Sequence, residues 1–102
     1  MSKNEIITVY GRLGKDPELR YTKSRKAVCN FTIAEDIKGQ EAPKWHQVVA
    51  WEKQAERCPV NLRKGDPVIV RGRMREHEFT GADGVLRQVC ELHADFLGVS
   101  IA

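Results

Sequence analysis

Cysteine is scarce and unpaired in this chain of 102 residues: Cys29, Cys58 and Cys90 are an odd number at wide spacing, with no Cys-x-x-Cys pair. A disulfide-stapled scaffold is thereby excluded, and with histidine only at positions 46, 77 and 93 no closed zinc spacing arises. No stretch approaches the roughly 20 consecutive apolar residues that a membrane helix requires. No apolar leader follows Met1 to Glu5, so a reducing, cytoplasmic setting is expected. Catalytic signatures are missing too. No glycine-rich phosphate loop precedes a helical pattern, and no Ser or Cys sits in a nucleophile motif. The carboxylates Asp16 and Glu18 stand close together, but Pro17 between them marks a turn beside bases, where capping and solvation account for both. Neither an enzyme, a metal nor a cofactor is expected.

What is present suits one small domain over residues 1–102. A chain of this length buries about 60–70% of its unfolded surface, which the 41% hydrophobic content can supply. Seventeen Lys and Arg against fourteen Asp and Glu give a net charge of +3. Placement says more than the total. Gly11 to Lys26 carries Arg12, Lys15, Arg20, Lys23, Arg25 and Lys26 against Asp16 and Glu18, while Arg63 to Arg75 carries five bases against Asp66 alone. Such clusters are either a solvated face or a polyanion footprint.

Short β-rich runs separated by Gly and Pro organise the chain. Ile6 to Tyr10 reads as a first strand ending at Gly11, with a turn at Asp16-Pro17. Val28 to Ala34 alternates, with Cys29, Phe31 and Ile33 on one face and Asn30 and Thr32 on the other. Trp45 to Trp51 is a third strand. Ala55, Cys58 and Leu62 then fall at helical spacing within Glu52 to Leu62, where Pro59 is expected to break or restart the helix. Val68 to Arg75 is a fourth strand, and Gly81-Ala82-Asp83-Gly84 a hairpin loop into a fifth through Leu86, Gln88, Cys90 and Leu92. Five strands and one short helix predict an all-β oligonucleotide-binding (OB) fold, a Greek-key barrel with an extended hairpin between its fourth and fifth strands.

Two features of this pattern point to a ligand. Trp45 and Trp51 share a face about 20 Å apart at roughly 3.3 Å per residue, with Gln47 between them, whereas Val48 and Ala50 on the other face suit a barrel interior. At least one tryptophan is therefore expected at the surface. Arg71, Arg73, Arg75, His77 and Phe79 share a face if the fourth strand runs on into the hairpin. That stripe is either an edge strand guarded by charge or a cationic track ending in an aromatic. Exposed rings beside cations are what a single nucleic-acid strand needs, because bases stack for about 1–3 kcal/mol each while the cations follow the phosphates.

The run Gly11-Arg12-Leu13-Gly14-Lys15-Asp16-Pro17-Glu18-Leu19-Arg20-Tyr21-Thr22 resembles the start of a bacterial single-stranded DNA-binding protein. Similar to that family, in its order and near its spacing, are also Asn30 to Ala34, Trp45 to Trp51, Ala55-Glu56, Leu62 to Asp66 and Arg71 to Arg75. The likeness covers almost the whole chain. It implies an OB-fold that assembles into a homo-oligomer, a tetramer in the first instance and a dimer in the second, binds single-stranded DNA in replication, recombination and repair, and performs no catalysis. By position, Trp45, Trp51 and Phe79 match the family's stacking aromatics, and Lys53, Arg63, Lys64, Arg75 and Arg87 its basic positions near the strand path. Arg12, Arg20, Arg71 and Arg73 join them from the two basic segments. His46 matches a histidine at a subunit contact, and a nucleoid-associated place in the cytoplasm follows from the same likeness.

Departures from the pattern qualify these expectations. Asp36 to Pro43 is shorter than the family's loop and lacks its tryptophan, which removes one stacking platform. Gln47, His77 and Glu78 stand where the family carries firmer bases, which should flatten the salt dependence. Up to Ala102 there is neither a Gly/Pro/Gln-rich linker nor an acidic tip, so partners recruited through such a tail are not expected from these residues. A second reading follows, an OB-fold adaptor of a primosome or recombination complex that binds protein first and nucleic acid weakly. RNA also stays open as a ligand, because stacking accepts either sugar.

Overall fold

In the computed structural model, which describes residues 5–101, the strand β3 (Ala27–Glu35) buries Ala27, Cys29, Phe31 and Ile33 and turns the residues between them outward. β4 (Lys44–Trp51) lies antiparallel to it in the register Val28↔Trp51 to Glu35↔Lys44, burying His46, Val48 and Ala50 toward the same interior. The other strands are β1 (Ile6–Leu13), β2 (Glu18–Tyr21), β5 (Pro67–Thr80) and β6 (Leu86–Val99), with one helix, α1 (Glu52–Asn61). The sheet order is β1-β5-β6-β4-β3-β2, and β1 also reaches β3 at Arg12↔Ala34 and Leu13↔Ile33, which closes the barrel. β4 and β6 meet in parallel at Val48↔Leu92. Val9, Leu13, Phe31, Ile33, Val48, Val70 and Leu92 fill the interior, and α1 covers one end with Ala55 and Cys58. This is the expected OB-fold.

Several local expectations need correction. The first strand does not end at Gly11, because β1 continues to Leu13: a Cβ at Gly11 would stand 2.5 Å from the Ala34 carbonyl oxygen, so the glycine serves a close approach to β3. β2 is a strand that alternation did not reveal. It has four residues, of which only Leu19 is half-buried, and it exists through its pairing with β3. Pro59 does not break α1, which runs unbroken from Glu52 to Asn61. The proline falls in the last turn, and the helix is held there by the Leu62 N–H donating to the Cys58 carbonyl and by Arg63 Nη1 donating to the carbonyls of Pro59 and Leu62. β5 and β6 are longer than expected. Past the barrel they form a two-stranded arm closed by the 81–85 loop, and the radius of gyration of 14.1 Å exceeds the value near 13 Å typical of this length, as a projecting arm requires.

The β5–β6 ladder carries one irregularity. Arg71 pairs with Phe96 while Gly72 pairs with Ala94, leaving Asp95 as an extra residue on β6. A Cβ at Gly72 would fall 2.0 Å from the His93 carbonyl oxygen, so the bulge demands glycine opposite it. Because the extra residue belongs to β6, the alternation of β5 is uninterrupted.

Candidate nucleic-acid interface

Both tryptophans of β4 lie at the surface, Trp45 with 56% and Trp51 with 39% of its area exposed. The pairing registers set their neighbours. Trp51 stands in one row with Val28 of β3 and Arg20 of β2, and Trp45 in one row with Ala34 of β3 and Arg12 of β1. At roughly 4.8 Å between strands, each arginine lies about 10 Å across the sheet from its tryptophan. Arg20 is held there by donating to Asn30 Oδ1 at 2.8 Å.

The arginine stripe is not an edge. β5 lies between β1 and β6, so charge is not needed there to block a neighbouring chain, and the edge-strand explanation fails for Arg71 and Arg73. Arg71, Arg73, Arg75, His77 and Phe79 all face outward and are exposed. Opposite them on β6 stand Phe96, His93, Glu91, Val89 and Arg87. Because β6 joins β4 in parallel, this surface is continuous with that of the tryptophans. The result is a groove of about 670 Å³ whose walls include Trp51, Arg73, Arg75, His93 and Lys26.

The remaining cations fall into separate groups. Phe79 and Arg87 face each other on the arm, where Arg87 Nη2 holds Asp83 Oδ2 at 2.7 Å. That guanidinium, with the Val85 N–H, keeps the Asp83 carboxyl below its usual range. Arg12, Arg63 and Lys64 gather at the turn between α1 and β5: Arg12 Nη1 donates to the Gly65 carbonyl at 3.2 Å, and the Lys64 N–H to Asp16 Oδ1 at 2.7 Å. Lys53 is exposed at the start of α1. His46 is buried within its own chain and its Nε2 lies 2.8 Å from Glu35 Oε1.

Sequence reasoning missed His93. Its outward direction follows from Leu92 pointing inward, but its place beside Trp51 depends on the parallel β4·β6 pairing, which no local pattern carries. The Trp51 Nε1–H donates to His93 Nδ1 at 3.1 Å, and the two rings lie 6.3 Å apart between centroids at 22°. Partial burial pulls the His93 imidazole below its ordinary pKa against the opposing pull of Glu91. Among the described residues, no group of three or more His, Cys, Asp or Glu is arranged to hold a metal ion.

The fold and its outer face define a small OB barrel whose aromatic rings share one surface with cations. Residues 4–100 match the model of the single-strand binding protein family, and the chain belongs to that family. It is 38% identical over 102 residues to a single-stranded DNA-binding protein of Neisseria meningitidis serogroup B, an overlap covering 93% of this chain and 58% of the relative. Single-stranded DNA-binding proteins of Paenarthrobacter aurescens and Mycolicibacterium smegmatis are each 36% identical over 110 residues, covering 99% of this chain and 64% and 67% of those proteins. The chain thus spans about 58% of the length of the meningococcal relative it matches.

Proposed function

We propose that this protein binds single-stranded DNA with little regard for sequence, in the replication, recombination and repair of DNA. The observation that carries the reading is the Trp51 groove, where an exposed indole faces Arg73 and Arg75 on the outer wall of an OB barrel. Bases stack on Trp51, Trp45 and Phe79, since every base has a flat face to offer, and the phosphates follow Arg73, Arg75 and Lys53. Arg20 extends the track beside Trp51, and Arg12 adds a cation at the turn before β5, where its guanidinium donates to the Gly65 carbonyl. Arg71 and Arg87 would share their charge with Asp95 and Asp83, Arg63 also donates to the carbonyls of Pro59 and Leu62, and Lys64 joins the track from the turn before β5. No acid, base or nucleophile is used.

Homo-oligomerisation belongs to the same reading, although His46, expected at the subunit contact, is buried in its own chain against Glu35 and offers no surface to a partner. It is supported by the outer side of β1, which over Ile6 to Tyr10 pairs only with β5 among the described strands and leaves Ile6 and Tyr10 about half exposed.

Fluorescence anisotropy with labelled oligo(dT), and with a duplex of equal length, tests the reading at low and moderate salt. Salt-sensitive binding of the single strand with little binding of the duplex is the expected result. Equal affinity for both, or for neither, would remove it.

A further inference from the structure

The pair formed by Trp51 and His93 has a chemical asymmetry. An indole N–H can only donate, so the 3.1 Å bond to His93 Nδ1 requires that nitrogen to be bare. The neutral ring then carries its hydrogen on Nε2, which faces Glu91 Oε1 at 3.6 Å. A proton gained at Nδ1 would set two donors head to head at the position of the present bond. The indole would have to leave, and a new cation would stand in the groove beside Arg73 and Arg75.

Resting on the reading of this groove as a single-strand site, we propose that His93 is a positioning and phosphate-binding residue of it, which latches Trp51 when neutral and on protonation releases the ring and supplies a charge. Binding of single-stranded DNA is then tighter in mild acid. By linkage, bound DNA raises the proton affinity of His93 to the same degree.

The surroundings fit this behaviour. Glu91 on the same strand favours the proton, while partial burial and the charges of Arg75 and His77 on β5 oppose it. Arg73 is the cross-strand partner of His93, and Lys26, Glu52 and Asp95 line the same groove from the loop after β2, from α1 and from the bulge. In the free protein partial burial, the first of these influences, moves the uptake of the proton to lower pH than in an ordinary imidazole. Phosphates laid along Arg73 and Arg75 would offset the cations that oppose the proton.

Two measurements test the latch. In a Trp45→Phe variant, Trp51 is the only indole, and its fluorescence in the free protein should change in one step as the pH is lowered from about 8 to 5, a step that His93→Gln removes. Oligo(dT), whose bases do not titrate in this range, should bind about fivefold more tightly below the step than above it at 0.1 M salt, with a salt slope steeper by about 0.7, the value of one added phosphate contact. His93→Gln should abolish both changes, whereas His77→Gln should keep both and only move the step in pH, because His77 Nε2 holds at 3.1 Å the Glu91 oxygen that His93 faces. A pH effect that survives His93→Gln, that is absent from the unmodified protein, or that His77→Gln removes equally would overturn the latch while leaving single-strand binding in place. Failure of oligo(dT) to bind at any pH would overturn the single-strand reading, and the latch with it.

Discussion

Arg71 and Asp95 are joined across the β6 bulge, with the arginine Nε donating to Asp95 Oδ1 at 2.9 Å and the guanidinium also lying 5.8 Å from the Phe96 ring centre. The extra residue of the bulge thus neutralises the first arginine of the stripe. Both side chains are about half exposed, so the pair adds little to stability. Asp95→Ala should leave the fold intact and free one cation beside the groove. Oligo(dT) affinity is expected to rise severalfold at low salt and the salt slope to steepen by about 0.7. An unaltered slope would mean that Arg71 meets no phosphate.

Arg75 offers the converse case. It lies in the groove wall where the arm leaves the barrel. Arg75→Ala should weaken binding to all sequences alike and lower the salt slope by about 0.7. A loss confined to some sequences would instead make this arginine a reader of bases.

Pro59 occupies a helical position at which it can donate no hydrogen bond to the Ala55 carbonyl. Pro59→Ala should stabilise the protein in urea unfolding by about 1–2 kcal/mol, less than the roughly 3 kcal/mol interior penalty because the proline sits in the last turn and also stiffens the unfolded chain. A loss of stability would show that packing of the ring against the barrel outweighs the missing bond.

The three thiols should separate by reactivity. Cys29 and Cys58 are buried against each other, and burial pushes the Cys58 thiol up to about 12 from an ordinary value of 9.0. Only Cys90 is exposed. A thiol reagent should modify about one cysteine per folded chain and all three after denaturation. Stability should also fall at high pH: above about 9 the unfolded chain loses a proton that folded Cys58 keeps, so the stabilisation present below 9 is lost as the pH climbs toward 12. Flat stability from pH 9 to 11 would contradict this.

Alternation made the barrel wall readable, since Cys29, Phe31 and Ile33 and then Val48 and Ala50 each announce an inner face by the period of two. The same rule put Trp45 and Trp51 on one face and asked for at least one exposed ring, and both are exposed. It could not find β2, because Glu18 and Arg20 flank a single apolar side chain and the strand depends on β3 for its existence. Nor could it find the groove, which joins residues some forty positions apart through a parallel pairing. Gly11 misled for a related reason: a glycine that ends a strand and one that lets two strands touch are the same letter.

The most direct test of the account is tryptophan fluorescence during titration with oligo(dT), made on the protein and on its Trp51→Ala and Trp45→Ala variants. Strong, salt-sensitive quenching is predicted, with each variant losing on the order of 1–3 kcal/mol of binding while still folded. No quenching by the single strand, or full affinity in both variants, would contradict stacking on this face.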